Sequence, residues 1–304
     1  PKRPVFVNNS GTTLRLLLGV LAGMNFKTKL AAGRYLSARP MSRVNVPLRL
    51  MGAQINARKR NKEEYAPLAI KGGNLKGIVY HPKVASAQVK SAILLAGLFA
   101  KGKTTVVERL STRDHTERML KIFGANISKN KNRITLNPSR NLVSPGQIYI
   151  PGDISSAAFF MVLAAIIPGA RIVIEHSSLN PSRSGIINVL KRMQAKIKVF
   201  VSNAPGRANF EPQGKLIVSS GKLKGAEILA GEIPSLVDEL PILMVAACFA
   251  QGLTTIKGVG ELRVKEADRI NSMLINLKKM GAVIRVNQAG GKENIVIRGQ
   301  GKLY

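Results

Sequence analysis

The chain has 304 residues, 45% apolar and 21% charged, enough for two ordinary domains and the composition of a folded protein rather than a disordered one. A single cysteine excludes a disulfide framework and a cysteine-rich metal site, and no apolar run reaches the ~20 residues that a bilayer crossing needs. Lys and Arg number 47 against 16 Asp and Glu; of the net charge of +31, residues 1–152 carry +22 and residues 153–304 carry +9, a field that draws anions of any kind.

In chain order, the first predicted helix is a small-residue one over 12–23. It opens on Asn9-Ser10-Gly11-Thr12-Thr13, with Arg15 one turn inside. A helix start exposes free N–H groups and a positive dipole end, glycine admits an anion close to the backbone, and hydroxyls add donors. The same pattern also serves as an ordinary capped helix. Arg39-Pro40-Met41 follows: the guanidinium suits phosphate or carboxylate, and Pro40 would fix the start of a helix that ends near Met51. Gly52 suits that helix's C-terminus, and a strand comes next.

A second small-residue helix, 86–100, starts on Ser86-Ala87-Gln88-Val89-Lys90-Ser91, rich in neutral and cationic donors, and a β-branched strand is expected over 104–108. Thr112-Arg113-Asp114-His115 marks another helix start, where His115 is either a base or polar packing; that helix ends near Phe123 and Gly124. The Pro151-Gly152 corner, where the charge also shifts, divides the chain into domains 1–152 and 153–304.

The second half repeats the plan with a helix over 155–167, a strand over 171–175, and a helix ending near Met193. Gln194 stands there in place of glycine, so this stop should be less sharp. Asp238 begins the apolar helix 237–250, as a cap or as a base facing a ligand, and Cys248 within it reads as a packed core thiol. The runs 157–167 and 240–250 are expected to be buried on all sides. After a strand over 254–257, residues 263–269 are dense in charge of both signs, with Lys265 and Arg269 four apart on one helical face and Glu266 beside them. The last helix ends near Met280 and Gly281.

Four segments share the form Leu-x-x-(Met/Phe)-x-Ala-x-Ile: 48–55, 120–127, 190–197 and 277–284, with starts 72, 70 and 87 residues apart. Each is a helix end followed by a strand, downstream of one small-residue helix. The repeats predict pseudo-symmetric α/β domains with helices inside and sheets outside. A solenoid is disfavoured because the period is neither short nor regular.

Taken together, segments 9–15, 39–41, 86–91, 111–119, 152–160, 233–242 and 262–269 resemble the enolpyruvyl transferase family, and within it the EPSP synthases (3-phosphoshikimate 1-carboxyvinyltransferases), across essentially the whole chain. The resemblance implies a two-domain inside-out α/β barrel of βαβαββ units around a substrate cleft, with about four of six units present. It implies transfer of the enolpyruvyl group of phosphoenolpyruvate to the 5-hydroxyl of shikimate 3-phosphate, with release of phosphate and without metal or organic cofactor. Gly11, Arg39, Gln88 and Arg269 match phosphoenolpyruvate-binding positions. Ser86, Ala87, Gln88, Thr112, Asp238 and Lys265 match the shikimate 3-phosphate side. Asp238 matches the residue that takes the hydroxyl proton, Glu266 a proton shuttle, and Lys265 a cation that neutralises developing charge. A cytoplasmic monomer is implied.

Gly33-Arg34 departs from the family pattern, which usually has Gly-Asp there. The pattern's early Lys-Ser-Arg cluster and late Gly-Asp-His-Arg segment have no match, so both domains are expected to be partial and this chain by itself not to turn over. Two alternatives stand beside the main reading. One is a basic polyanion- or nucleic-acid-binding protein on the same scaffold. With 5% aromatic residues and no Trp to stack bases, non-specific, salt-dependent adhesion is expected rather than specific recognition. The other is UDP-N-acetylglucosamine enolpyruvyl transferase, whose reactive-cysteine loop has no counterpart, since Cys248 lies in an apolar helix.

Overall fold

The computed structural model describes residues 3–139, 141–202, 211–264 and 268–303. The chain divides into two compact units, Pro1–Gly146 and Gln147–Tyr304. Unit 1 opens with β1 (Val5–Phe6), α1 (Gly11–Ala22), β2 (Lys27–Ala31), the short α2 (Arg34–Ser37), α3 (Ser42–Met51), β3 (Gln54–Arg60) and β4 (Glu63–Lys71). It repeats with β5 (Val79–Tyr80), α4 (Ala87–Gly97), β6 (Thr104–Val107), α5 (His115–Ile122), β7 (Ile127–Asn130) and β8 (Arg133–Leu136). Unit 2 has α6 (Ile154–Ile166), β9 (Arg171–Ser178), α7 (Gly185–Arg192), β10 (Lys196–Ser202) and β11 (Gln213–Ser219). It ends with β12 (Glu227–Ile228), α8 (Leu240–Phe249), β13 (Gly252–Ile256), α9 (Arg269–Lys279), β14 (Val283–Ala289) and β15 (Lys292–Gly299).

These are four copies of one topology. The sheets run β1-β2-β4-β3, β5-β6-β8-β7 and β12-β13-β15-β14, and the third copy runs β10-β11-β9. In the three complete sheets the first two strands pair in parallel. In the third copy that strand shrinks to a parallel bridge between Gly152 and Ser177. Among the described residues the βαβαββ plan therefore recurs in all four copies, with the first strand of the third reduced to that bridge.

The Leu-x-x-(Met/Phe)-x-Ala-x-Ile repeat is the hinge of each copy. Its alanine N–H reaches back to the first leucine's carbonyl in all four: Ala53 to Leu48 at 3.0 Å, Ala125 to Leu120 at 2.9 Å, Ala195 to Leu190 at 2.8 Å and Ala282 to Leu277 at 2.9 Å. The residue before the alanine is left-handed in each: Gly52, Gly124 and Gly281 at φ 115, 80 and 84, and Gln194 at φ 67. The expectation of a blunter stop at Gln194 is thus overturned. The shared hydrogen bond and the buried leucine, methionine and alanine at 190, 193 and 195 hold glutamine in a conformation it does not favour.

Helices form the inside of each unit. In unit 1, α1, α3 and α4 pack on one another. Leu14 and Leu18 of α1 and Ile93 and Leu94 of α4 are fully buried. Each such side chain contributes about 1.5–3 kcal/mol relative to exposure. β4 turns Glu64, Ala66, Leu68 and Ile70 to this core and its other face outward. The α1–α4 approach depends on Gly19, where a Cβ would lie 2.3 Å from the Ala92 backbone oxygen. Gly19→Ala should therefore lower stability by roughly 1–3 kcal/mol, read as a lower urea midpoint at unchanged slope; an unchanged midpoint would mean the helices do not meet there.

In unit 2, α8 is buried as expected, and the Cys248 thiol donates to the Met244 carbonyl at 3.2 Å. Burial pushes that thiol up to about 11, so it is a core group. α6 is different. It packs on β9, β11 and α8, but Phe159, Leu163 and Ile167, four apart, and Phe160 are 57, 49, 44 and 55% exposed. The run 157–167 is apolar on every face, yet these neighbours cover only part of it.

Candidate functional site

The predicted residues of unit 1 gather at the N-termini of α1 and α4. Ser10 caps α1, accepting from the Thr13 N–H at 3.1 Å. The preceding turn is tied to α2 and its cap residue, with the Gly33 N–H donating to the Asn8 carbonyl at 2.6 Å and the Leu36 N–H to Asn9 Oδ1 at 3.3 Å. Gln88, in the first turn of α4, bridges to α1: its Oε1 accepts from Arg15 Nη1 at 2.6 Å, and its Nε2 donates to Thr12 Oγ1 at 2.8 Å. Gly11 is the floor of this group. A Cβ built there would lie 2.8 Å from Arg15 Nη1 and 3.1 Å from Arg39 Nη1, so two guanidiniums converge on a residue without a side chain. Guanidiniums, helix N–H groups and an amide meeting at one point make an anion site.

Arg39 is steadied from behind. The Met41 N–H donates to the Glu64 carbonyl at 2.7 Å, and the Glu64 carboxylate takes Arg49 and Asn45 of α3 at 3.0 and 2.8 Å. Burial alone would raise the Glu64 carboxyl, but hydrogen bonds from Arg49 and Asn45, with the Arg49 charge, outweigh it and hold the carboxyl below its usual range. Pro40 precedes the Met41 cap rather than opening α3, which begins at Ser42.

Ser86 caps α4, accepting from the Val89 N–H at 3.4 Å, and Ala87 is the first residue of that helix. Lys90, one turn on, is 0% exposed. Its Nζ lies 2.6 Å from Glu117 Oε1 and 3.1 Å from Glu108 Oε1, and donates to the Thr112 carbonyl at 3.3 Å. Glu108 in turn accepts from the Thr112 N–H at 3.1 Å and from its hydroxyl. Thr112 is therefore fixed by a buried cation between two carboxylates. Burial pushes the Glu117 carboxyl up and the Glu108 charge adds to that, while Lys90 pulls it back only in part. Ser86–Ser91 reads in the sequence as a helix start rich in neutral and cationic donors; one of them, Lys90, is the buried anchor of the next loop.

In unit 2, Asp238 does not begin a helix. It lies in the turn between a 3-10 turn, Ile233–Ser235, and α8, whose cap position is Glu239. Pro241 suits only the first helical turn, so α8 starts at Leu240. Arg269 Nη1 donates to Asp238 Oδ1 and to the Val237 carbonyl, both at 3.0 Å. Two predicted residues are thus a direct ion pair. Arg269 is also the first residue of α9, capped by Asp268, whose carboxylate accepts from the Asn271 N–H at 2.9 Å. α9 thus starts at Arg269, and the predicted sharing of one helical face by Lys265 and Arg269 falls on residues that the structure does not describe. Lys265 and Glu266 themselves lie outside the described residues.

Two features went unread in the sequence. Arg263 clamps the chain on both sides of 264–267: it forks onto Glu293 of β15, with Nε to Oε2 at 2.8 Å, and reaches Asp268 at 2.7 Å. The Arg263 hydrogen bond holds the Glu293 carboxyl low. At the start of α6, Ser155 donates to the buried Glu239, while Arg183 reaches Asp153 at 2.6 Å and Ser155 Oγ at 3.0 Å. The position of Ser155, second in its helix as Gln88 is in α4, was a signal available from the repeat.

Among the described residues no helix is long and apolar enough to cross a membrane, and no group of three His, Cys, Asp or Glu could hold a metal. The EPSP synthase (3-phosphoshikimate 1-carboxyvinyltransferase) family profile matches residues 1–301. The 3-phosphoshikimate 1-carboxyvinyltransferase of Bacillus pumilus (strain SAFR-032) is 46% identical over 292 residues, 96% of this chain and 67% of that protein. That of Bacillus subtilis (strain 168) gives the same identity and the same coverage. The structure of EPSP synthase from Acinetobacter baumannii superposes with a TM-score of 0.82 at 44% identity, covering 100% of this chain and 66% of that one. The enolpyruvyl transferase NikO from Streptomyces tendae shares the fold, with a TM-score of 0.66 at 14% identity over 93% of this chain and 62% of that one. The chain spans about two thirds of the length of the relatives it matches.

Proposed function

The chain belongs to the EPSP synthase family, and from that premise we propose that its residues carry the reaction of a 3-phosphoshikimate 1-carboxyvinyltransferase: the enolpyruvyl group of phosphoenolpyruvate passes to the 5-hydroxyl of shikimate 3-phosphate. The family assignment favours this over a polyanion-binding scaffold protein and over the UDP-N-acetylglucosamine enzyme. The observation that carries it is the convergence of Arg15 and Arg39 on Gly11, an anion site at the matched phosphoenolpyruvate positions.

The reading assigns a task to each group, and two to Gln88 and Arg269. Gly11, Arg39 and Gln88 hold phosphoenolpyruvate, and Arg15 orients Gln88 through its hydrogen bond to Oε1. Ser86, Ala87, Gln88 and Thr112 bind shikimate 3-phosphate, with Thr112 set by the buried Lys90 group. Asp238 accepts the proton of the 5-hydroxyl as its oxygen attacks C2 of phosphoenolpyruvate, and the methylene carbon takes up a proton, giving a tetrahedral intermediate. Loss of phosphate from C2 together with a proton from the new methyl group then forms the enol ether and restores the double bond. Arg269 both pairs with Asp238 and binds the phosphoenolpyruvate carboxylate, while Glu266 and Lys265 keep the proton-shuttle and charge-neutralising roles that the family pattern gives those positions. Fixed cations and hydrogen bonds stabilise the charge that develops. The same reading has the protein act in the cytoplasm.

Gly11→Ala tests the anion site. The added methyl displaces the Arg15 and Arg39 ends, so KM for phosphoenolpyruvate should rise on the order of tenfold, about 1.4 kcal/mol, with a clearly smaller rise in KM for shikimate 3-phosphate, which feels the change only through Gln88. Phosphate-release kinetics on the full-length protein read both constants. Equal rises in the two, or none, would overturn the placement of phosphoenolpyruvate at Gly11.

A further inference from the structure

Unit 1 holds a second cationic feature that shares no residue with the Gly11 group. β3 and β4 form a hairpin in which Arg58 stands opposite Tyr65 and Arg60 opposite Glu63, and the register shifts between Ala57 and Arg58. A bulge bends a strand and re-aims the side chains beyond it. Arg58 and Arg60, two apart, leave the strand on one face. There they meet α2 and the residue after it: Arg34, Ser37, Ala38, Arg58, Arg60 and Tyr65 line a cavity of about 310 Å³. That is the lower end of the range for small-molecule sites.

The walls are held in place. Arg58 Nη2 donates to the Ser37 carbonyl at 3.1 Å, and the Ser37 hydroxyl donates to the Ala32 carbonyl at 3.1 Å. None of the six lining residues is acidic, so three arginines line one small volume with no carboxylate among them. Glu63, across the ladder from Arg60, can balance only one of those charges. Like charges gathered at one cavity repel, and a bound anion relieves that repulsion. Planar, forked donors suit phosphate oxygens, and the Tyr65 phenol adds a neutral donor.

We propose that this cavity binds a compact phosphate polyanion, a diphosphate group either free or carried on a small molecule. Ser37 and Ala38 run directly into Arg39, so the cavity and the Gly11 group are served by one short segment while using different side chains. Adhesion of the whole basic surface to anions is a separate phenomenon, because it needs no cavity and fades steeply with salt.

The test is calorimetric titration of the full-length protein with inorganic diphosphate, and in a second arm with a nucleoside diphosphate, at about 0.15 M ionic strength. Arg58→Ala/Arg60→Ala should weaken diphosphate binding by at least about tenfold, since charge-assisted bonds from two guanidiniums are lost. The substrate KM values of this variant and its urea midpoint should stay as in the parent. Arg39→Ala should leave the diphosphate site in place. Tighter binding in the second arm assigns the group to a carried diphosphate, and equal binding to the free ion; either supports the site. Diphosphate binding that survives Arg58→Ala/Arg60→Ala, that disappears only with Arg39→Ala, or that is detectable only well below physiological salt would overturn it.

Discussion

Replacing Lys90 with methionine is expected to cost about 3–5 kcal/mol of stability, because it strips the Lys90 ammonium from two carboxylates in the interior of unit 1. Methionine fills nearly the same volume, so the loss is electrostatic rather than a cavity. Glu108 and Glu117 are 5 and 8% exposed, and two carboxylates left without that cation are costly to keep inside, Glu117 being already pushed up by burial. The sign with pH follows from the raised carboxyl. An acid whose folded pKa lies above its unfolded value destabilises the fold most at high pH, and stability returns as pH falls through the folded value toward the ordinary one. Urea unfolding of Lys90→Met should therefore improve on mild acidification from neutral pH. The triple variant Lys90→Met/Glu108→Gln/Glu117→Gln should regain most of the loss, since a buried ion network replaced as a whole costs far less than one broken in part. If Lys90→Met alone is as stable as the parent at neutral pH, the network does not hold the Thr112 loop.

Asp238→Asn is the second large effect, and it falls on turnover. Asparagine keeps the shape and still accepts from Arg269, but it cannot take the proton of the attacking hydroxyl. The expected drop in kcat is about 10²–10⁴-fold, with both substrates still bound. Stability should change little, as the pair is partly exposed, with side chains 25 and 33% accessible, and such pairs contribute under about 1 kcal/mol. A kcat within a few-fold of the parent would remove Asp238 from the role of base.

The two effects differ in how far the sequence announces them. The four helix-to-strand hinges are legible because a buried leucine, a bulky apolar residue, an alanine and an isoleucine recur at fixed offsets, and local geometry needs those types in that order. Gly11, Arg39, Gln88, Asp238 and Arg269 are visible as helix-start donors and charged residues, and Asp238 does meet Arg269. What stays hidden is long-range. Arg15 and Gln88 are 73 residues apart, and only the α1–α4 crossing at Gly19 brings them together. Lys90 reads as one more cationic donor at a helix start until Glu108 and Glu117 arrive from β6's end and α5. Helix starts are also weakly encoded: Pro241 and the Asp268 cap moved two of them past the residues that pattern alone placed inside. Gln194 shows the converse, a position where tertiary packing overrides the residue's own preference.

The central claim is enolpyruvyl transfer to shikimate 3-phosphate, and product identification by mass spectrometry tests it most directly. With phosphoenolpyruvate and shikimate 3-phosphate together, the full-length protein should release one inorganic phosphate for each molecule of a new shikimate 3-phosphate ether bearing the enolpyruvyl unit, and with either substrate alone it should release none. Phosphate release from phosphoenolpyruvate without the acceptor, or no new ether when both are present, would contradict the account.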